Sequence, residues 1–181
     1  MLHPEARNAG NTYLVEGLGR RVALVADAGA DESGSTIEMA AHLRRTEGPL
    51  DVLFGGFRAW RLQPIRYIGT SIARYLLFVP PDQRTQVQQI MNDAVDFVAT
   101  GMAWGARTIV PYANGGTPWF ARIGLGPRGD AEDPDDVNVD PPVELVEQAL
   151  AAAGPTDMTL STLGAGRCLP IYDAALGRAV A

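Results

Sequence analysis

Residues 22–31 read VALVADAGAD: five apolar residues from Val22 to Ala26, the carboxylate of Asp27, and then nothing larger than alanine until Asp31. A short apolar run of this kind bounded by turn-forming residues fits a buried strand. The stretch therefore brings a carboxylate to the end of a strand, among residues that take up little space. Segments at strand ends commonly carry function on a rigid scaffold, so the elements around Asp27 determine how it is read.

Upstream, Asn11 to Glu16 (NTYLVE) is a second β-rich run, separated from Arg21–Ala26 by Gly17-Leu18-Gly19-Arg20, a connection that predicts a hairpin. Downstream, Ser35-Thr36-Ile37-Glu38 has the serine and glutamate of a capping box, predicting a helix to about Glu47 that Gly48-Pro49 ends. Asp51–Phe54 (DVLF) follows as a short buried strand. Val87, Ile90, Met91, Ala94, Val95, Val98 and Met102 recur at spacings of three and four, which predicts an amphipathic helix ending at Gly105. Arg107–Tyr112 (RTIVPY) is a further strand, Asn114-Gly115-Gly116 a turn, Val143–Ala153 a helix and Met158–Leu163 a closing strand. Residues 129–142 are acidic and proline-rich, the composition of a solvated surface loop. They lack the ligand spacing of an EF-hand. Alternating strands and helices predict an α/β fold, and the leading hairpin makes its β-sheet mixed, with flanking helices. Residues 1–181 are expected to form a single domain.

Composition narrows the function. With 46% apolar and 20% charged residues the chain is globular rather than disordered. A net charge of −6 argues against nucleic acid as a partner, because such binding depends on neutralising phosphates. All basic residues are arginine, which excludes lysine Schiff-base chemistry and the P-loop. Neither G-x-G-x-x-G nor G-x-S-x-G occurs in a fitting context. No apolar run approaches the ~20 residues of a membrane span. The N-terminus, MLHPEARNAG, lacks the pattern of a secretory signal. The expectation is a cytoplasmic protein with no membrane partner. Cys168, the single cysteine, reads as a buried thiol.

Two histidines are available. His42 lies four residues after Glu38 on the first predicted helix and reads as part of a solvated pair. His3 precedes Asp27 by 24 positions, with the whole hairpin between them. Two readings of Asp27 stand side by side. In one it caps the turn or the next helix through backbone amides. In the other it belongs to a site with His3.

His3, the hairpin and Asp27 in the context VADAGAD, together with the strand and loop VPYANGG, resemble the middle and C-terminal part of the metallo-β-lactamase fold. The likeness runs from Leu2 to Trp119. It implies the C-terminal half of an αββα sandwich and a metal-dependent hydrolase acting on a small-molecule ester, lactone or related substrate. Asp27 would be the metal-bridging carboxylate, His3 or Glu5 a further metal ligand, and a metal-activated hydroxide the nucleophile. Zinc is the first expectation for the metal, with iron or manganese as alternatives. If Glu5 is the ligand, the richer carboxylate set favours iron and a diiron oxygenase or hydroxylase on the same fold. Two departures are plain: the family's H-x-H-x-D-H motif is absent, and Tyr112, Ala113 and Asn114 stand where a histidine follows the strand. Asn114 could serve there as a weak oxygen ligand, or Tyr112 and Asn114 could line a substrate site. The resemblance further implies that the chain is the C-terminal portion of a longer domain, with a separate polypeptide as the partner supplying the other half. A non-catalytic binding or scaffold module is the remaining class.

Between Asp51 and Asp82 no acidic residue occurs, and Arg58, Arg61, Arg66 and Arg74 fall there beside Trp60, Tyr67 and Tyr75. Arg58 and Arg61 could grip an anionic substrate through guanidinium forks. The alternative is that they pair with acids elsewhere.

Overall fold

The computed structural model describes residues 11–26, 28–31, 34–57, 61–62, 81–85, 88–89, 91–112, 141–162, 171–173 and 178–180. In chain order the elements are β1 (Asn11–Gly17), β2 (Arg20–Ala26), β3 (Ala30–Asp31), β4 (Gly34–Ser35), α1 (Thr36–Glu47), β5 (Val52–Gly56), β6 (Arg61–Leu62), β7 (Gln88–Gln89), α2 (Ala94–Trp104), β8 (Thr108–Tyr112), α3 (Glu144–Ala152), β9 (Thr159–Leu160), β10 (Ile171–Asp173) and β11 (Arg178–Val180). A single 3-10 turn, Pro81–Gln83, precedes β7.

The hairpin forms as its sequence requires. β1 and β2 pair antiparallel from Asn11↔Ala26 to Gly17↔Arg20. Leu18 and Gly19 at the turn both have positive φ, 52° and 72°. Two such residues make the turn whose twist matches that of the flanking strands. From β2 onward the pairing is parallel, with Val22↔Val52, Val52↔Thr108 and Thr108↔Thr159 in register. The main sheet is mixed and ordered β1-β2-β5-β8-β9.

That order explains where the helices sit. Each crossover after β2 adds the next parallel strand on the same side, and crossovers of this kind are right-handed almost without exception. Successive same-handed steps in one direction carry every helix over one face. The core agrees: Ala23, Leu53 and Ile109, in register on three strands and fully buried, meet Ala40 and Leu43 of α1, Phe97, Val98 and Trp104 of α2, and Val146 of α3. On the opposite face Tyr13, Val15 and Leu24 are exposed toward β1, whereas Val110 on β8 is buried.

The capping box is present in full. Ser35 Oγ accepts from the Glu38 amide, and the Glu38 carboxylate accepts from the Ser35 amide at 2.9 Å. The second helix differs from its expected course, because it begins at Ala94 rather than near Val87. The Asp93 carboxylate accepts from the Asp96 amide at 2.8 Å and caps the helix there. Val87 and Ile90 therefore precede α2, and Gln88–Gln89 pairs with Arg61–Leu62. The buried face also differs: Phe97, Val98, Gly101 and Trp104 face the core, and Val95 and Met102 are exposed. An apolar-rich helix with Val95, Phe97 and Val98 so close together offers two overlapping faces at three-and-four spacing, and contact with α1 and the sheet selects between them.

Phe97 is the tightest point of this packing. Its ring stacks on Phe57 at a centroid distance of 6.4 Å, and a Cβ placed on Gly55 would lie 2.5 Å from the Phe97 ring edge. Gly55 is thus required by the closeness of α2 to β5. Gly55→Ala is expected to lower stability by about 1–3 kcal/mol, the usual cost of overpacking. Urea unfolding should show a reduced midpoint with an unchanged slope, and an unaltered midpoint would contradict the contact.

Candidate functional site

In open α/β sheets ligands sit outside the carboxyl ends of the parallel strands. Here that edge is formed by the ends of β2, β5 and β8, at Ala26, Gly56 and Tyr112. Asp27 follows Ala26 directly in the chain and itself lies outside the described residues. Its C-terminal flank is held firmly. The Ala28 carbonyl accepts from the Asn92 amide at 3.1 Å, and the Gly29 carbonyl accepts from the Thr36 amide at 3.0 Å.

These two bonds belong to a buried polar cluster. Thr36, Asn92 and Thr100 are each at most 2% exposed. The Thr36 hydroxyl donates to Asn92 Oδ1 at 3.0 Å, the Thr100 hydroxyl donates to the Asp96 carbonyl at 2.7 Å, and the two hydroxyls are in hydrogen-bond contact at 2.9 Å, where either oxygen can donate. Such groups are costly to bury unless bonded. The cluster ties the start of α1, the approach to α2 and the segment after Asp27 into one unit. The small residues after Asp27 have a packing explanation as well: a Cβ on Gly29 would meet the Met91 backbone at 3.0 Å, and one on Gly56 the Met91 methyl at 2.8 Å. Met91, expected within the helix, instead fills the edge beside β5.

Tyr112 is the sequence-predicted site residue that the described structure places most fully. Its hydroxyl donates to the Val25 carbonyl at 3.1 Å. Because β5 lies between β8 and β2, the side chain must span that strand where it ends in Gly55-Gly56. Tyr112 thus reaches the backbone two residues before Asp27. Arg61 lies in the β6–β7 ribbon, opposite Gln89. His3, Glu5, Arg58 and Asn114 lie outside the described residues, as do Cys168 and most of the acidic segment 129–142. His42 is exposed on α1. Among the described residues no three histidine, cysteine, aspartate or glutamate side chains are grouped to hold a metal ion. No described helix is long and apolar enough to cross a membrane.

The amino-terminal edge of the same strands carries a charged group that sequence reasoning missed. Arg21, Asp51 and Arg107 immediately precede residues that are in register on β2, β5 and β8. Asp51 Oδ1 pairs with Arg20 Nη1 at 2.9 Å, and its Oδ2 accepts from the Arg21 amide at 3.0 Å. Arg107 Nη1 stands 3.6 Å from Asp51 Oδ1, and Arg21 pairs with Glu16. The signal was visible as a charge opening each strand, RR, D and R, but only the parallel register shows that the charges are neighbours.

No protein-family model matches the chain, and no curated protein matches it. Among solved structures it is similar to CmlA, a diiron beta-hydroxylase from Streptomyces venezuelae, at a TM-score of 0.46 and 20% identity, over 84% of this chain and 27% of that one. The chain thus spans little more than a quarter of that protein's length.

The buried cluster gives a direct test of what steadies the Asp27 edge. Thr36→Val keeps the shape of the side chain and removes the proton that Asn92 Oδ1 receives, so stability should fall by about 1–3 kcal/mol. Thr46→Val on exposed α1 surface should change little. Equal effects from the two substitutions in denaturant titrations would rule out a special role for the cluster.

Proposed function

We propose that the chain is a metal-binding α/β module of metallo-β-lactamase-like architecture, with Asp27 as the ligand carboxylate at the carboxyl edge of the sheet. The observation that carries this reading is the placement of the Asp27 flanks. Val25 is bonded by Tyr112 across β5, and Ala28 and Gly29 are bonded into the Thr36–Asn92 cluster. A ligand held on both sides by rigid elements is the arrangement that a metal or substrate site needs.

The described side chains alone do not make a metal centre. Asp27, with His3 or Glu5, would have to begin one, and further donors would come from outside the described residues or from a second polypeptide. Aspartate with histidine suits zinc, iron or manganese, and a set enriched by Glu5 suits iron. When bound, such an ion supplies Lewis acidity for hydrolysis or, as iron, oxygen chemistry. Nothing in the described residues favours zinc over iron. The substrate would be a small molecule, with Tyr112 and Asn114 beside it and Arg58 and Arg61 as candidate anion contacts.

A second reading is supported by a different observation. The exposed row of Tyr13, Val15 and Leu24 lies on the sheet face opposite the helices. An apolar sheet face of that kind suits a polypeptide partner, as in a binding module or an αββα sandwich completed by another chain.

Metal analysis of the purified protein after separate loading with zinc and iron(II) tests the first reading. Asparagine keeps the capping ability of aspartate but loses its charge, so Asp27→Asn should retain the fold and lose bound metal. Metal absent from the wild type, or retained unchanged in Asp27→Asn, would sink the metal reading and leave the binding module. Oxygen uptake by the iron-loaded protein separates oxygenase from hydrolase.

A further inference from the structure

A cleft of about 420 Å³ opens at the amino ends of the parallel strands, the end of the sheet away from Asp27. Its volume is within the range of small-molecule sites. The polar wall consists of Arg20, Arg21, Arg107, Asp51 and Glu16, and the remainder is small or apolar, including Gly17, Gly19 and Leu50. We propose that this cleft binds a small organic monocarboxylate, with Arg107 and Arg21 gripping the carboxylate and the exposed Pro49 side of the cleft receiving its apolar part.

The charge distribution carries the proposal. Three guanidinium groups face two carboxylates, leaving one positive charge that a monoanion would balance. Asp51 is already committed: its side chain is only 20% exposed, Oδ1 is bonded to the equally sheltered Arg20, and Oδ2 to the Arg21 amide. Arg107 is left over. Its side chain is 75% exposed, and its pairing with Asp51 is at 3.6 Å, longer than a hydrogen bond. Arg21 spends its Nε on Glu16, whose side chain is 52% exposed. Exposed pairs of this kind contribute little and exchange easily for another acceptor. Arginine forks match carboxylate geometry, and Gly17 and Gly19 of the hairpin line the same cleft. Leu50 is itself 2% exposed and anchors the floor of the cleft in the core, so the charged wall stands on a rigid base.

The site is independent of the metal reading, because it lies at the opposite end of the strands and uses none of the same residues. Titration of ¹⁵N-labelled protein with sodium benzoate tests it, with benzamide as the neutral isostere and inorganic phosphate as the competing oxyanion. Benzoate should produce saturable amide shifts at Gly17, Gly19 and Arg107 with millimolar affinity. Benzamide should produce none, and Arg107→Gln should weaken benzoate binding by roughly tenfold, equivalent to about 1.4 kcal/mol. Arg107→Gln removes an exposed side chain and should leave the thermal midpoint nearly unchanged. Absence of saturation, an equal response to benzamide, full retention in Arg107→Gln, or binding of phosphate in preference to benzoate would each overturn the proposal.

Discussion

The line Ala23–Leu53–Ile109 is the contact on which the rest of the structure depends. These three fully buried residues stand in register on β2, β5 and β8 and form the floor on which α1, α2 and α3 all pack. Burial of apolar surface is the dominant favourable term in folding, at about 25 cal/mol per Å². A slip of one residue in any of these strands would turn its apolar set to the wrong face. The register is therefore held by the core, and what stands at either end of the strands follows from it.

The two ends are chemically different. At the carboxyl end the described bonding is neutral: Tyr112 to Val25, and the Thr36–Asn92–Thr100 cluster to Ala28 and Gly29. At the amino end the bonding is ionic and centred on Asp51, which accepts from both Arg20 and the Arg21 amide. A carboxylate with two strong donors closes the edge where three strands begin. The same arrangement leaves Arg107 extended toward solvent beside a cleft.

Much of the fold was legible in the chain. The hairpin was marked by its turn residues and the first helix by its capping box, both local signals that act over a few residues. The second helix was misread at its start because Val87, Ile90 and Met91 continue the three-and-four spacing of the helix proper. Periodicity cannot distinguish a residue that faces a core from a helix from one that reaches it from a connecting segment, as Met91 does beside Gly29 and Gly56. Val95 and Met102 lie within α2, where two overlapping apolar faces were on offer and packing against α1 and the sheet chose the other. Tyr112 was singled out in the chain as a substrate contact; its hydrogen bond across β5 to the Val25 carbonyl carries no local signal.

By itself, the sequence determined the identity and order of the main-sheet strands and the three helices, the position of Asp27 after the second strand, and the exclusion of lysine-dependent chemistry. Tertiary structure alone decided that the Arg21, Asp51 and Arg107 strand starts are neighbours, and that Thr36, Asn92 and Thr100 meet in one buried hydrogen-bonded cluster. The reason is physical: capping and turn preferences are encoded within a few bonds of the backbone. The parallel register and the Thr36–Asn92–Thr100 bonding, by contrast, join residues thirty or more positions apart, and exist only once the sheet has closed on its helices.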